Sequence, residues 1–138
     1  MTPGTATVML QNLAKEGLLN YFSRKGCCLT DRGKQVVLEI LRKHRLIELF
    51  LQKILHFDWS EVHEEAERME HCFSEKVINR LDKILGYPKT DPHGEIIPDI
   101  TKSAEESMSE LKGNDIPLSK AGENRMYVIT RIINQEPD

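Results

Sequence analysis

The chain has 138 residues, 39% of them hydrophobic and 30% charged, with a formal net charge of −3. That length holds one domain and part of a second, and that composition supports a packed core rather than disorder. No apolar run reaches the roughly 18 residues a membrane span needs, and no basic-then-apolar signal segment opens the chain, so the expectation is a cytoplasmic protein with no membrane partner.

The charge is unevenly spread. Residues 1–45 carry eight Lys/Arg against three acids, and the remainder carries 11 against 19. A basic head on an acidic body suggests nucleic acid at one end and cations at the other. Cys27, Cys28 and Cys72 are odd in number and two are adjacent, which argues against a disulfide framework. In a strand, Cys27 and Cys28 would face opposite ways, one buried and one exposed. They read as small apolar fillers in a reducing compartment.

In chain order, Thr2-Pro3 suits a helix start, with Thr as N-cap and Pro at the first helical position. Val8, Met9, Leu10 and Leu13 give an apolar face, and Gly17 suits the C-terminal cap. Leu18–Phe22 and Cys27–Thr30 read as two strands joined by the polar turn Ser23-Arg24-Lys25-Gly26. A helix followed by a basic hairpin is the second half of a winged helix-turn-helix, or else a generic helix–hairpin with no nucleic acid. Asp31 reads as the cap of a helix running to about His56, with an apolar stripe of Val36, Val37, Ile40, Leu41, Ile47, Leu51, Ile54 and Leu55. His44 and Glu48 fall within that stripe, one turn apart.

Asp58 or Ser60 caps the next helix, which carries His63-Glu64-Glu65-Ala66-Glu67-Arg68-Met69-Glu70-His71. There His63, Glu67, Glu70 and His71 fall at i, i+4, i+7 and i+8, so all four project from one face. Val62, Ala66, Met69 and Phe73 run beside them, which brings the carboxylates and imidazoles to the rim of a packed surface. Charged groups are costly to desolvate without partners, and a divalent cation would meet that need. The alternative is a solvated acidic helix whose glutamates pair with Arg68 and nearby lysines. Ser74-Glu75 starts a further helix, closed by Gly86. Residues 87–98 form a Pro/Gly-punctuated loop containing Asp91-Pro92-His93-Gly94. Residues 101–115 lack periodicity, as a linker would, and residues 125–133 read as a strand.

Three segments together, Arg42–Leu46, Val62–His71 and Asp91–Gly94 followed by Ile97-Pro98, resemble the metal-dependent repressors of the diphtheria-toxin-repressor and manganese-transport-regulator family. The resemblance spans residues 2–99. It implies a mainly α chain. Residues 1–30 would be a partial winged helix-turn-helix and 31–99 a helical metal-binding and dimerisation domain. Residues 100–115 would be a linker, and 116–138 the first part of an SH3-like β-domain. It further implies Glu67, Glu70 and His71 as primary metal ligands, with His44, Glu48 and His63 as ancillary ones. Thr5 and Thr7 would lie on the recognition helix, with Lys15, Arg24 and Lys25 toward phosphates. The family's first two helices would precede Met1, so the chain reads as a fragment whose DNA binding is weak and salt-sensitive.

The function expected is a metal-dependent transcriptional repressor that binds double-stranded operator DNA as a homodimer. Glu67 stands where iron-responsive members carry Cys and manganese-responsive ones carry Glu. A hard carboxylate there favours Mn²⁺ over the alternative, Fe²⁺. Two rivals are a metallohydrolase using the same Glu/His cluster and a metal-independent winged-helix regulator. Against the first, position 67 is Glu, so no His-Glu-x-x-His occurs, and no Ser/His/Asp set or phosphate loop is present. The chain is therefore read as a non-enzyme.

Overall fold

The computed structural model describes residues 3–22, 25–112, 116–122 and 126. It consists of α1 (Pro3–Lys15), a hairpin of β1 (Leu19–Phe22) and β2 (Gly26–Leu29), α2 (Asp31–Lys53), α3 (Val62–Glu70), α4 (Glu75–Ile84) and α5 (Ala104–Lys112), followed by a short 3₁₀ turn at Leu118–Lys120. The hairpin is antiparallel, with Leu19 opposite Leu29 and Phe22 opposite Gly26.

The junction between hairpin and α2 is built by Thr30. Its Oγ1 accepts from the Gly33 amide at 3.0 Å, capping α2, and donates to the Gly17 carbonyl at 2.7 Å. Thr30 rather than Asp31 is therefore the cap, because Asp31 already lies in the first turn and pairs with Lys34. Gly33 is required here for space. A Cβ at that position would stand 1.8 Å from the Leu18 carbonyl oxygen, so any side chain would push the hairpin off the helix. Both cysteines of β2 are exposed, and neither acts as the buried filler expected from alternation. Neither face of β2 is covered, so alternation has nothing to sort there.

The core lies in the second half of α2. Leu46, Ile47, Leu49 and Leu51 are buried there together with Val62 and Ala66 of α3, Ile78 and Leu81 of α4, and Ile97. Truncating one of these, Leu46→Ala for example, should cost about 2–5 kcal/mol. The first half of the expected α2 stripe is less covered, and Ile40 is half exposed. The helix also ends at Lys53 rather than near His56.

Two arginines of α2 lock its neighbours. Arg42 donates to Asp82 at 2.8 Å and to Asn79 at 3.2 Å on α4. Arg45 holds the 87–98 loop through Glu95 at 3.0 Å, the Ile96 carbonyl and Asp91. Ahead of α3, Asp58 accepts from the amide and hydroxyl of Ser60. That turn stops short of the helix, whose N-cap position is Glu61, so neither Asp58 nor Ser60 caps it.

Residues 104–112 correct the linker expectation. Ser103 and Glu106 form a reciprocal capping box: the Glu106 carboxylate accepts from the Ser103 amide at 3.0 Å, and the Ser103 hydroxyl accepts from the Glu106 amide at 3.3 Å. The α5 that follows packs on α2, with Ser107 buried and donating to the Asp99 carbonyl. The strand expected at 125–133, on which the SH3-like reading of 116–138 rests, lies outside the described residues apart from position 126. No helix among the described residues is long and apolar enough to cross a membrane.

Candidate metal centre

Packing α3 across α2 brings the second half of one helix over the histidine face of the other. The buried anchor is Glu48, whose side chain is 2% exposed. Its Oε1 lies 3.1 Å from His44 Nε2 and 3.0 Å from His63 Nδ1, and those two nitrogens are 3.1 Å apart. His44, Glu48 and His63 each contribute one donor atom to a group lying within 4.8 Å of one another. His44 and His63 meet edge to face, with ring centroids 4.9 Å apart.

The other three donors expected from sequence connect to this trio without converging on one another. Glu70 Oε2 reaches His44 Nδ1 at 3.3 Å, and its Oε1 stands 3.5 Å from His71 Nε2. Glu67 Oε1 is 3.7 Å from His63 Nε2. The six thus form one continuous series, His71–Glu70–His44–Glu48–His63–Glu67. Burial falls off from Glu48 toward both ends: Glu70 is 18% exposed and His63 55%, while Glu67 and His71 are 64% and 83% exposed. His71 sits at the C-cap of α3 rather than inside it.

Electrostatics follow from this packing. Burial pulls the His44 pKa down, but the Glu48 and Glu70 carboxylates outweigh it and leave the imidazole above its ordinary value. Burial pushes the Glu48 carboxyl up, but hydrogen bonds and charge from His44, with His63 and His93, bring it below the usual range. Proton and cation therefore compete for the same nitrogens. The site fits a divalent transition metal: a buried carboxylate facing two imidazoles is a borderline N/O donor set. The ligand-poor acidic face expected in the solvated alternative is confined to Glu64 and Glu65, which pair with Arg68 at 2.9 Å each.

Sequence reasoning missed His93. It sits in the 87–98 loop with its side chain 1% exposed and Nε2 3.8 Å from Glu48 Oε1. Neither of its ring nitrogens has a hydrogen-bond partner. Loop residues carry no periodicity, so only the Asp91 turn that holds it gave a signal: Asp91 Oδ1 accepts from the His93 and Glu95 amides.

The residues expected to meet DNA lie at the other end of the chain. Thr5 and Thr7 are exposed on α1, Lys15 is exposed in its last turn, and Lys25 is exposed beside the hairpin turn. Arg24 lies outside the described residues. The apolar face expected on α1 is thinly covered, since Val8 and Met9 are both more than half exposed.

Comparison with known proteins connects both ends. A family profile described as "Iron dependent repressor, metal binding and dimerisation domain" matches residues 30–99, half of the chain. The iron-dependent repressor IdeR of Mycobacterium tuberculosis is 37% identical over 98 residues, covering 71% of this chain and 43% of its own length. The structure of a manganese-dependent transcriptional repressor complex with manganese superposes with a TM-score of 0.67 at 40% identity, over 73% of this chain and 46% of that one. ScaR with bound Cd²⁺ superposes with a TM-score of 0.81 at 36% identity, over 99% of this chain and 61% of that one. The chain thus spans less than half the length of the IdeR sequence it matches. The mainly helical fold, the helix–hairpin unit and the profile match together make this chain a member of the iron-dependent repressor family, the diphtheria-toxin-repressor family that its sequence motifs resemble.

Proposed function

We propose that this chain is the metal-sensing part of a divalent-metal-dependent, DNA-binding transcriptional repressor that controls metal-ion homeostasis. The observation that carries the reading is the convergence of His44 and His63 on the buried Glu48 carboxylate, with Glu70 joined through His44. The relatives named above are repressors rather than enzymes, and the chain is read in the same way.

The residues explain how sensing would work. His44 and Glu48 belong to α2, while His63, Glu67, Glu70 and His71 belong to α3 or its cap. A bound divalent cation would supply the positive charge that Glu48 and Glu70 lack and so tie α3 to α2. With their charges compensated, those side chains would hold the two helices at a fixed separation. The same helix pair supports α4, whose Val77 and Ile84 stay exposed and suit a second copy of this chain, forming a homodimer through residues 60–85. Thr5, Thr7, Lys15, Arg24 and Lys25 are read as the operator-facing set, the threonines toward bases and the cations toward phosphates. Ligands that favour one conformation favour each other, so metal and operator would bind cooperatively.

Mn²⁺ is the effector this reading favours, because Glu67 and Glu70 add oxygen donors beside His71. Fe²⁺ is the second reading, supported by the imidazole-rich trio and by the iron-dependent relatives. The test is a Mn²⁺ titration followed by thermal melting. A bound ligand stabilises the folded state by RT ln(1 + [L]/Kd), so melting should rise with Mn²⁺ and the rise should shrink in Glu70→Ala and His71→Ala. An unchanged metal-induced shift in both variants removes the primary-site assignment. Comparing anaerobic Mn²⁺ with Fe²⁺, then repeating both with Glu67→Cys, decides the metal.

A further inference from the structure

We propose that His93 is a fourth protein ligand of the cation held by His44, Glu48 and His63, closing that site on its buried side. The proposal rests on reading the trio as a metal site. Four observations carry it, each independent of helix spacing.

The first is distance: His93 Nε2 stands 3.8 Å from Glu48 Oε1. Donors bound to one cation at about 2.0–2.2 Å sit on the order of 3–3.5 Å apart. The nitrogen is near that range from Glu48 but lies outside the 4.8 Å group formed by His44, Glu48 and His63, so binding would draw the ring in toward the two histidines. The second is that both ring nitrogens are buried and lack any hydrogen-bond partner. Buried polar atoms are almost always paired, and an orphaned one needs a reason. Neutral imidazole nitrogen is a good ligand for divalent transition metals, and a cation beside Glu48 would provide that reason.

The third observation is that the backbone carrying the ring is held in place. The His93 amide is bound by Asp91 Oδ1 at 2.8 Å, and Asp91 in turn faces Arg45 of α2. The fourth is that Trp59 covers the ring from outside, with centroids 4.6 Å apart at 66°. The imidazole is almost fully shielded from water, and the Glu48 carboxylate stands beside it. With His93, the buried site offers three nitrogens and one carboxylate, a set that suits Fe²⁺, Co²⁺, Ni²⁺ or Zn²⁺ better than Mn²⁺. The group of Glu67, Glu70 and His71 is richer in oxygen.

Trp59, the chain's single tryptophan, reports on this ring. Titrating the 138-residue protein with Co²⁺, a paramagnetic quencher, should quench Trp59 fluorescence. His93→Gln keeps an N–H that can face Glu48 but removes the ligand, and His93→Phe keeps the volume. Both should weaken Co²⁺ binding by more than the roughly 10–100-fold that loss of an outer-shell partner costs, with melting in EDTA showing that each variant folds. In the wild-type protein, Zn²⁺ should shift the ¹⁵N resonance of His93 Nε2 as metallation does, a readout that needs no variant. Wild-type Co²⁺ affinity in His93→Gln, or an unmoved His93 Nε2 under saturating Zn²⁺, overturns the assignment. His44→Ala separates the two levels of the argument. If it binds Co²⁺ like wild type, the trio itself is not a metal site. If it loses binding while both His93 variants keep it, only the role of His93 fails.

Discussion

The two halves of the candidate metal centre differ in how far they are built before any ion arrives. His44, Glu48 and His63 converge around a carboxylate that the core has already desolvated, with donor atoms 3.0–3.1 Å apart. Glu67 and His71 stand at the surface, each touching a different neighbour and more than three-fifths exposed. The buried half is thus largely arranged in the metal-free fold, whereas Glu67 and His71 would still have to be drawn together around an ion. A preorganised site gains affinity because less ordering remains to be done on binding.

The largest expected effect that separates the halves is on the metal-free protein. Glu48→Ala leaves His44 and His63 without their shared acceptor and should destabilise the protein by about 1–3 kcal/mol. His71→Ala, at an exposed cap, should stay within about 0.5 kcal/mol. Urea denaturation in EDTA measures both. Equal effects would mean that the buried half is no more built than the exposed one.

Much of this arrangement was legible in the sequence. The i, i+4 placement of His44 and Glu48 and the i, i+4, i+7, i+8 placement of His63, Glu67, Glu70 and His71 follow from helical geometry alone, and the structure joins all six in one series of contacts. What helical spacing cannot give is depth. Glu48 and Glu67 look alike on a helical wheel, yet one is covered by α3 and the 87–98 loop while the other faces water. His93 was illegible for a related reason: a loop residue is placed by its turn, here by Asp91 and Arg45, and turns carry no repeat. The helix at 104–112 was missed because its apolar periodicity is weak, although the Ser103–Glu106 capping pair was there to be read. Thr30 displaced Asp31 as a cap because its hydroxyl serves two partners at once, a tertiary fact.

A second, smaller effect sharpens the comparison through pH. The His44 pKa is raised in the folded state because Glu48 and Glu70 outweigh its burial. A raised folded pKa contributes stability that is fully present below the unfolded value, about 6.5, and is lost as pH rises through the folded value. Metal needs the deprotonated ring. So across the window above about 6.5, the metal-free protein should lose stability while metal affinity rises. Binding should release a proton there, which calorimetry in buffers of different ionisation enthalpy would count. His44→Gln should flatten both trends. The opposite slope for the metal-free protein would contradict the electrostatic account of the buried half.

The smallest effect lies at the far end of the chain. If Lys15 and Lys25 meet phosphates, each changed to Ala should lower the slope of log affinity against log salt by about 1. The change should be the same for any DNA sequence and should leave metal binding untouched. A salt slope unaffected by either substitution would remove these two cations from the operator-facing set.

The central claim, that this family member holds divalent metal on a buried and an exposed half of one centre, is tested most directly by calorimetric titration of Mn²⁺ into the 138-residue protein and three variants. The account predicts two ions per chain in the wild type. His44→Ala should remove one event, and Glu67→Ala or His71→Ala the other. A single ion whose affinity is unmoved by His44→Ala, or two ions lost together on changing His71 alone, would contradict it.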